Sequence, residues 1–248
     1  MIAFFKTIIY IPLYNVLILL LNIPWVDAGL AAVILTVLVK VILYPLAKKS
    51  TIAQAKMKEK EGELAVIKEK YKDKQEQAVK TMEFYKTNKI NPFSSILTIL
   101  IQIPVIFSLY YIFFKSGLPS IDTGMLYSFI KAPAAVSMIF LGFVDVSQKS
   151  VVLAALAAVT SFWQMHLASK AIKTDQSKPS FAKAMAGRED FSQMMSKQMK
   201  YTMPLIVFFI SWKISAIVAL YWLVSNLVGI AQDVYVRKQM VKISIPQS

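Results

Sequence analysis

The chain has 248 residues, 56% of them apolar and 17% charged, with a mean hydropathy of +0.54 and a formal net charge of +14. Soluble domains are about 45–50% apolar and about 25% charged, so this composition excludes an ordinary soluble domain and points to the membrane. The absence of cysteine excludes disulfides, thiolate chemistry and a cysteine-acylated anchor, and one histidine, His166, leaves too few ligands for a zinc site.

Within an N-terminal interfacial segment over 1–28, residues 1–21 have a lysine, Lys6, followed by an apolar stretch, in the manner of a signal peptide. Pro12 and Asn15 interrupt that stretch and no clear small-x-small cleavage site follows, so a retained segment lying along the interface over 8–21 is expected. Asn22, Pro24, Trp25 and Asp27 form a polar break with an interfacial tryptophan. The first span is predicted over 29–46, and Lys40 lies within it, eleven residues after Gly29 and eight before Lys48. A charge at mid-membrane costs about 2.5–3.5 kcal/mol on insertion scales, so a compensation is required.

Residues 47–93 hold twelve lysines and seven acids and read as a water-exposed helical hairpin. Leu64, Ile67 and Tyr71 make a thin apolar seam continued by Val79 and Met82, with a turn at Asp73-Lys74. A second span is predicted over 94–114, with Gln102 and Pro104 near its middle. Residues 115–150 are mixed, and Ala134 to Val144 form a short apolar piece expected along the interface. A third span is predicted over 151–169, followed by a basic loop over 170–200. Residues 201–236 would make a helix of ~54 Å, nearly twice a bilayer core. They are therefore divided at the WKIS sequence into spans over 201–211 and 216–236, with a short basic tail over 237–248.

This gives an all-α, polytopic membrane protein with five transmembrane helices. One side of the membrane receives 22 of the 28 lysines and arginines, which puts the N-terminus outside, the C-terminus and both large loops in the cytoplasm. The same asymmetry explains the net charge as a surface facing anionic headgroups. The basic loops carry few interleaved aromatics, so no specific nucleic-acid partner is expected.

Apart from Asp233 the spans hold no carboxylate, which leaves little material for proton coupling. Neither a serine–histidine protease arrangement nor a phosphate loop is present, and no catalytic residue, cofactor or metal is expected. What remains is a set of polar stripes at helical spacing: Thr36, Lys40 and Tyr44; Thr98 and Gln102; Thr160 and Gln164; Trp222, Asn226, Gly229 and Asp233. On spacing alone these residues fit a hydrated cavity and a set of interhelical hydrogen bonds equally well, and Lys40 fits a buried charge or one snorkelling to the headgroups.

The order of several short motifs resembles the YidC-type membrane protein insertases of the Oxa/Alb superfamily, from Gly29 to about Val236. They are Tyr44-Pro45-Leu46 after the basic residue of the first span, Asn91-Pro92, Gln102-Ile103-Pro104 and Leu109-Tyr110-Tyr111. Phe140-Leu141-Gly142-Phe143 with Asp145, Gln164, Met203-Pro204, Leu220-Tyr221-Trp222 and Ser225-Asn226-Leu227 complete the series. The resemblance implies a hydrophilic groove enclosed by five spans, open to cytoplasm and lipid, through which newly made membrane proteins enter the bilayer without nucleotide hydrolysis. Carried over residue by residue, Lys40 is the groove's electrostatic attractor, with Thr36, Gln102, Gln164, Trp222 and Asn226 as lining. The partners implied are nascent membrane proteins and the bilayer, with the ribosome and a Sec-type translocon as further candidates, and the location is the bacterial cytoplasmic membrane.

Three departures stand out. Lys40 replaces the arginine of many bacterial members, keeping the charge and losing the bidentate fork. No large extracytoplasmic domain is expected ahead of the spans, and the tail after Arg237 is short, so any ribosome contact is expected through the loops. A small-solute transporter or channel is the alternative class. It would call for paired broken spans in two related halves, whereas only 201–236 is interrupted. An assembly chaperone without insertion activity is not separable by sequence.

Overall fold

The computed structural model describes residues 6–91, 103, 105–115, 118–168 and 191–244, with backbone alone at 114–115, 191–200 and 242–244. The described chain is mostly helical. A π-helical stretch, Lys6–Tyr10, leads into α1 (Ile11–Leu21); α2 (Ala28–Ile42), α3 (Tyr44–Glu59), α4 (Glu61–Lys70) and α5 (Lys74–Thr87) follow. Residues 105–110 are helical and continue into a π turn, Tyr111–Lys115. After a two-stranded antiparallel hairpin, β1 (Ile139–Phe140) and β2 (Val144–Asp145), come α6 (Val151–Ala168), α7 (Phe191–Ile214) and α8 (Ala216–Ser244).

Among the described residues, Val151–Ala168 and Ala216–Val241 are long and apolar enough to cross a bilayer, and a third candidate is the α2–α3 pair taken as one span bent by 63°. Tyr201–Ile214 and Lys6–Leu21 are shorter apolar helices. Only 22% of the α6 window is buried inside the molecule, so most of its apolar surface is left to face lipid.

Four sequence expectations meet different geometry. The helix expected over 29–46 ends at Ile42, because Pro45 lacks the N–H that would bond the Val41 carbonyl and its ring crowds that turn. The chain is helical from Phe191, ten residues before the predicted span; the part of the loop over 170–190, like Gln102 and most of the first half of the second span, lies outside the described residues. The helix expected to end at 236 continues to Ser244, because Arg237 pairs with Asp233 one turn earlier, Nε to Oδ2 at 2.7 Å, and keeps the turn closed. The apolar piece 134–144 contributes β1 and the turn before β2.

α8 is the hub, packing against α2, α3, α6 and α7. Ser215 alone separates α7 from α8, within the WKIS sequence. α1 supplies the densest part of the core, with Tyr14, Leu17 and Ile18 fully buried. Asn15 on the same helix is 1% exposed and fully employed. Its amide nitrogen donates to the Ile11 and Met125 carbonyls, both at 2.9 Å, and its oxygen accepts from the Tyr127 N–H at 2.7 Å. The polar residue that interrupts the apolar run is thus the tie between α1 and the 118–131 segment.

α4 and α5 make the lysine-rich hairpin. Asp73 caps α5 by accepting from the Gln75 and Glu76 N–H groups, and Gln77 donates to the Lys68 and Tyr71 carbonyls across the turn. The ion pairs from the end of α3 through α5, Lys58–Glu61, Lys60–Glu63 and Lys80–Glu83, are exposed i,i+3 pairs of small energetic weight. Neither helix buries a residue, in keeping with the thin seam.

Asp27 joins the membrane helices to the hairpin of strands. One carboxylate oxygen caps α2 through the Leu30 N–H at 2.8 Å, and the other accepts the Leu141 N–H at 3.1 Å. The Ala28 N–H donates to the Ser137 carbonyl beside it, and Gly29 has no Cβ because Phe140 occupies that space. Asp27→Ala should cost ~1–2 kcal/mol from the lost cap, with a further penalty for the orphaned Leu141 N–H. Asp27→Asn should retain the cap, lose the second bond and fall between the two. Thermal unfolding in detergent micelles checks the order wild type, Asn, Ala.

Candidate functional site

Lys40 stands in the last turn of α2 and is half-buried. The bend at Leu43 therefore brings the ammonium closer to a helix end than a straight helix over 29–46 would. Two physical consequences follow. The partial negative charge of the helix C-terminus favours a cation there, by ~0.3–1 kcal/mol at an exposed site and more when partly buried. The last-turn carbonyls also need outside donors, and Gln232 of α8 supplies one, its Nε2 donating to the Lys40 carbonyl at 2.9 Å. Tyr44 and Tyr235 sit across the same junction with ring centroids 6.5 Å apart.

Of the other expected lining residues, Thr36 is 2% exposed and its hydroxyl donates to the Ala32 carbonyl of its own helix at 2.6 Å. Asn226 is enclosed between α8 and α6. Its amide donates to Ser161 Oγ at 2.7 Å, the Ala157 carbonyl at 3.1 Å and Thr160 Oγ1 at 3.2 Å. Gln164, one turn along α6, lays its amide so closely on Gly229 that a Cβ there would overlap it. Gln164 and Asn226 thus belong to one polar seam, the α6–α8 interface, while Lys40 lies at the α2–α8 contact.

Trp222 lies elsewhere. It lines an apolar cleft of about 610 Å³ between the helical residues 105–113 and the α7–α8 turn, with Ile106, Phe107, Tyr110, Ile214 and Val218. Nearly all of its wall is hydrocarbon, so it suits an alkyl chain or an apolar side chain rather than a hydrated solute.

Two contributors were not singled out in the sequence. Gln232 is adjacent to the Asp233 stripe and six residues beyond Asn226, so its face was legible although its carbonyl partner was not. Arg237, read as tail, also reaches the Ala168 carbonyl at the C-terminal end of α6, at 3.3 Å. His166 packs its ring on Phe162, with centroids 6.3 Å apart.

These features define a helical membrane protein whose polar residues are concentrated along one central helix, with a cation at one junction and an apolar cleft at another. A family model described as 60Kd inner membrane protein matches residues 20–243, and the chain belongs to that family. A protein of Fusobacterium nucleatum subsp. nucleatum named "Membrane protein insertase YidC" is 32% identical over 212 residues, covering 85% of this chain and 86% of its own. Proteins of the same name from Clostridium perfringens and Clostridium tetani are 32% and 29% identical, over 87% of this chain in both cases and 82% and 84% of their own lengths. The resemblance to YidC-type insertases read from the sequence motifs agrees with these matches.

The Gly229–Gln164 contact makes a two-part prediction. Gly229→Ala alone should destabilise by ~1–3 kcal/mol through overpacking. Adding Gln164→Ala should recover most of that loss, a coupling that a double-mutant cycle of unfolding in mixed micelles reads directly.

Proposed function

We propose that this protein is a membrane protein insertase, binding newly made membrane segments from the cytoplasmic side and releasing them into lipid without nucleotide hydrolysis. The observation that carries this reading is the half-buried Lys40 ammonium on a membrane helix, in a chain matched over 85% of its length to a protein named insertase. In this reading five spans, the second and fourth being the ones over 94–114 and 201–211, surround a groove, with the lysine-rich hairpin and the C-terminus in the cytoplasm. The 22 basic residues assigned to that side meet anionic headgroups, and any contact with a ribosome or Sec-type translocon uses the same loops.

The physics of the step divides between two places. Lys40 offers a fixed positive charge to an acidic or polar segment partway into the bilayer, lowering the cost of a charge in hydrocarbon. The apolar cleft beside Trp222 offers an apolar segment a protein wall before lipid replaces it. Transfer of ~20 apolar residues to the hydrocarbon core drives the reaction, and the membrane potential adds ~2.3 kcal/mol per charge per 100 mV for short acidic tails. Asn226 supports the groove by hydrogen bonds between helices, Gln164 by close packing on α8 and Thr36 by a bond within α2, and Gln102 is proposed as lining.

Reconstitution into liposomes with a small single-span substrate tests the class: insertion should exceed that into protein-free vesicles, and equality would sink the reading. The charge is tested in the same assay. A pair of opposite charges ~4 Å apart is worth ~1–4 kcal/mol between the dielectric of water and that of a protein surface. Lys40→Ala should accordingly slow insertion of an acidic-tailed substrate at least about fivefold, while Lys40→Arg should retain it. Silence of the alanine variant for every substrate would remove the attractor and leave the insertase reading standing.

A further inference from the structure

At the start of α2, away from the lysine-rich hairpin, the structure carries exposed apolar side chains that neither the core nor the proposed groove uses. Trp25 is 97% exposed, Phe143 90%, Phe129 77% and Leu141 58%. These residues come from three separate loops, and hydrogen bonds fix all three to one end of α2. Asn22 Nδ2 donates to the Lys131 carbonyl at 2.8 Å, holding the 127–131 turn beside the 22–27 turn. The Asp27–Leu141 and Ala28–Ser137 bonds hold the strand hairpin at the same place. The next segment is fastened to the start of α8, whose Ala216 and Ile217 N–H groups donate to the Gln148 and Val146 carbonyls. The ends of α2, α6 and α8 and the α7–α8 turn thus share one level, and the apolar loops lie on it.

The backbone strengthens the case. Leu141 and Gly142 have φ of 51° and 79°, as the type I′ turn between β1 and β2 demands, and Trp25 has φ of 71°. Asn, Asp or Gly is the ordinary occupant of the left-handed region, and a bulky side chain there carries a cost. Two large apolar residues hold this conformation with their side chains exposed, a cost that an outside apolar partner would offset. Trp212 and Lys213 add an interfacial signature at the α7–α8 turn, with the ammonium 5.8 Å from the ring centroid of its neighbour. Asp145, whose carboxylate accepts from the Ser147 hydroxyl and N–H, is held below the usual carboxylate range by those bonds.

We propose that Trp25, Phe129, Leu141 and Phe143 form an apron seated in the headgroup and upper acyl region of the leaflet opposite the lysine-rich hairpin, its partner being lipid. Aromatic residues at the level of helix ends are the chemistry of that layer. The apron anchors the loops that cap α2 and α8, and so fixes the depth of the membrane helices independently of any substrate. It stands apart from the insertase reading and survives or falls without it.

The absence of cysteine makes the test direct. Single cysteines replacing Trp25, Phe129 or Phe143, with Glu69 on α4 as the water-exposed reference, are spin-labelled in the full chain in vesicles of phosphatidylcholine and phosphatidylglycerol. Labels at 25, 129 and 143 should collide more with dissolved oxygen than with a water-soluble nickel chelate, and the label at 69 should show the reverse. Chelate accessibility like that at 69 would overturn the proposal. Immobilised spectra closed to both quenchers would overturn it too, by assigning the surface to a protein. A second measurement leaves the other sites intact: tryptophan emission of the unlabelled chain is recorded in vesicles brominated near the headgroup. Trp25→Phe should remove a quenchable component, and an unchanged quenching fraction would contradict the apron.

Discussion

Backbone and side-chain polar groups within hydrocarbon must find partners inside the protein, and here one helix meets that constraint for its neighbours. Three side chains of α8 each reach a carbonyl of another helix: Asn226 to Ala157 of α6, Gln232 to Lys40 at the end of α2, and Arg237 to Ala168 at the end of α6. The Gln232 bond meets the end of α2, where carbonyls call for donors from outside the helix. Gly229 lies between these side chains in sequence and lets Gln164 of α6 approach the α8 backbone. Without these side chains α2 and α6 would lose three hydrogen bonds that tie them to α8.

The bend at Leu43 depends on the same helix. Pro45 forbids a straight continuation, and the bend places Lys40 at a helix terminus where its charge is favoured. The energetic problem of a lysine in an apolar stretch is thereby reduced before any water or substrate is considered. It also explains how a single charge is held in place: its backbone carbonyl is bonded to α8, so the ammonium swings only on its own side-chain stem.

Much of this was legible in the sequence. Apolar runs gave the membrane class, the lysine-rich segment gave a helical hairpin whose arms α4 and α5 bury no residue, and WKIS at 212–215 marked the break between α7 and α8. The polar stripe on α8 was legible as a stripe, but spacing does not tell which neighbour each residue meets. Asn226 and Gln164 meet α6 and α8 in close packing, whereas Trp222 turns to an apolar cleft and Lys40 to a different junction. Pro45 was visible as a family motif, yet its effect on the depth of Lys40 required the bend. Asn15 read as an interruption of an apolar run, because its three partners lie on its own helix and on a segment more than a hundred residues away.

If Lys40 is the proposed attractor, substrates meet it while they are being made. The direct measurement is photo-crosslinking from position 40 to a nascent single-span protein stalled on the ribosome. Val159, 62% exposed on α6, is the lipid-facing reference. The account predicts a crosslink from position 40 that appears as the nascent segment emerges and fades on release, well above that from position 159. Equal yields from the two positions at every chain length would contradict it.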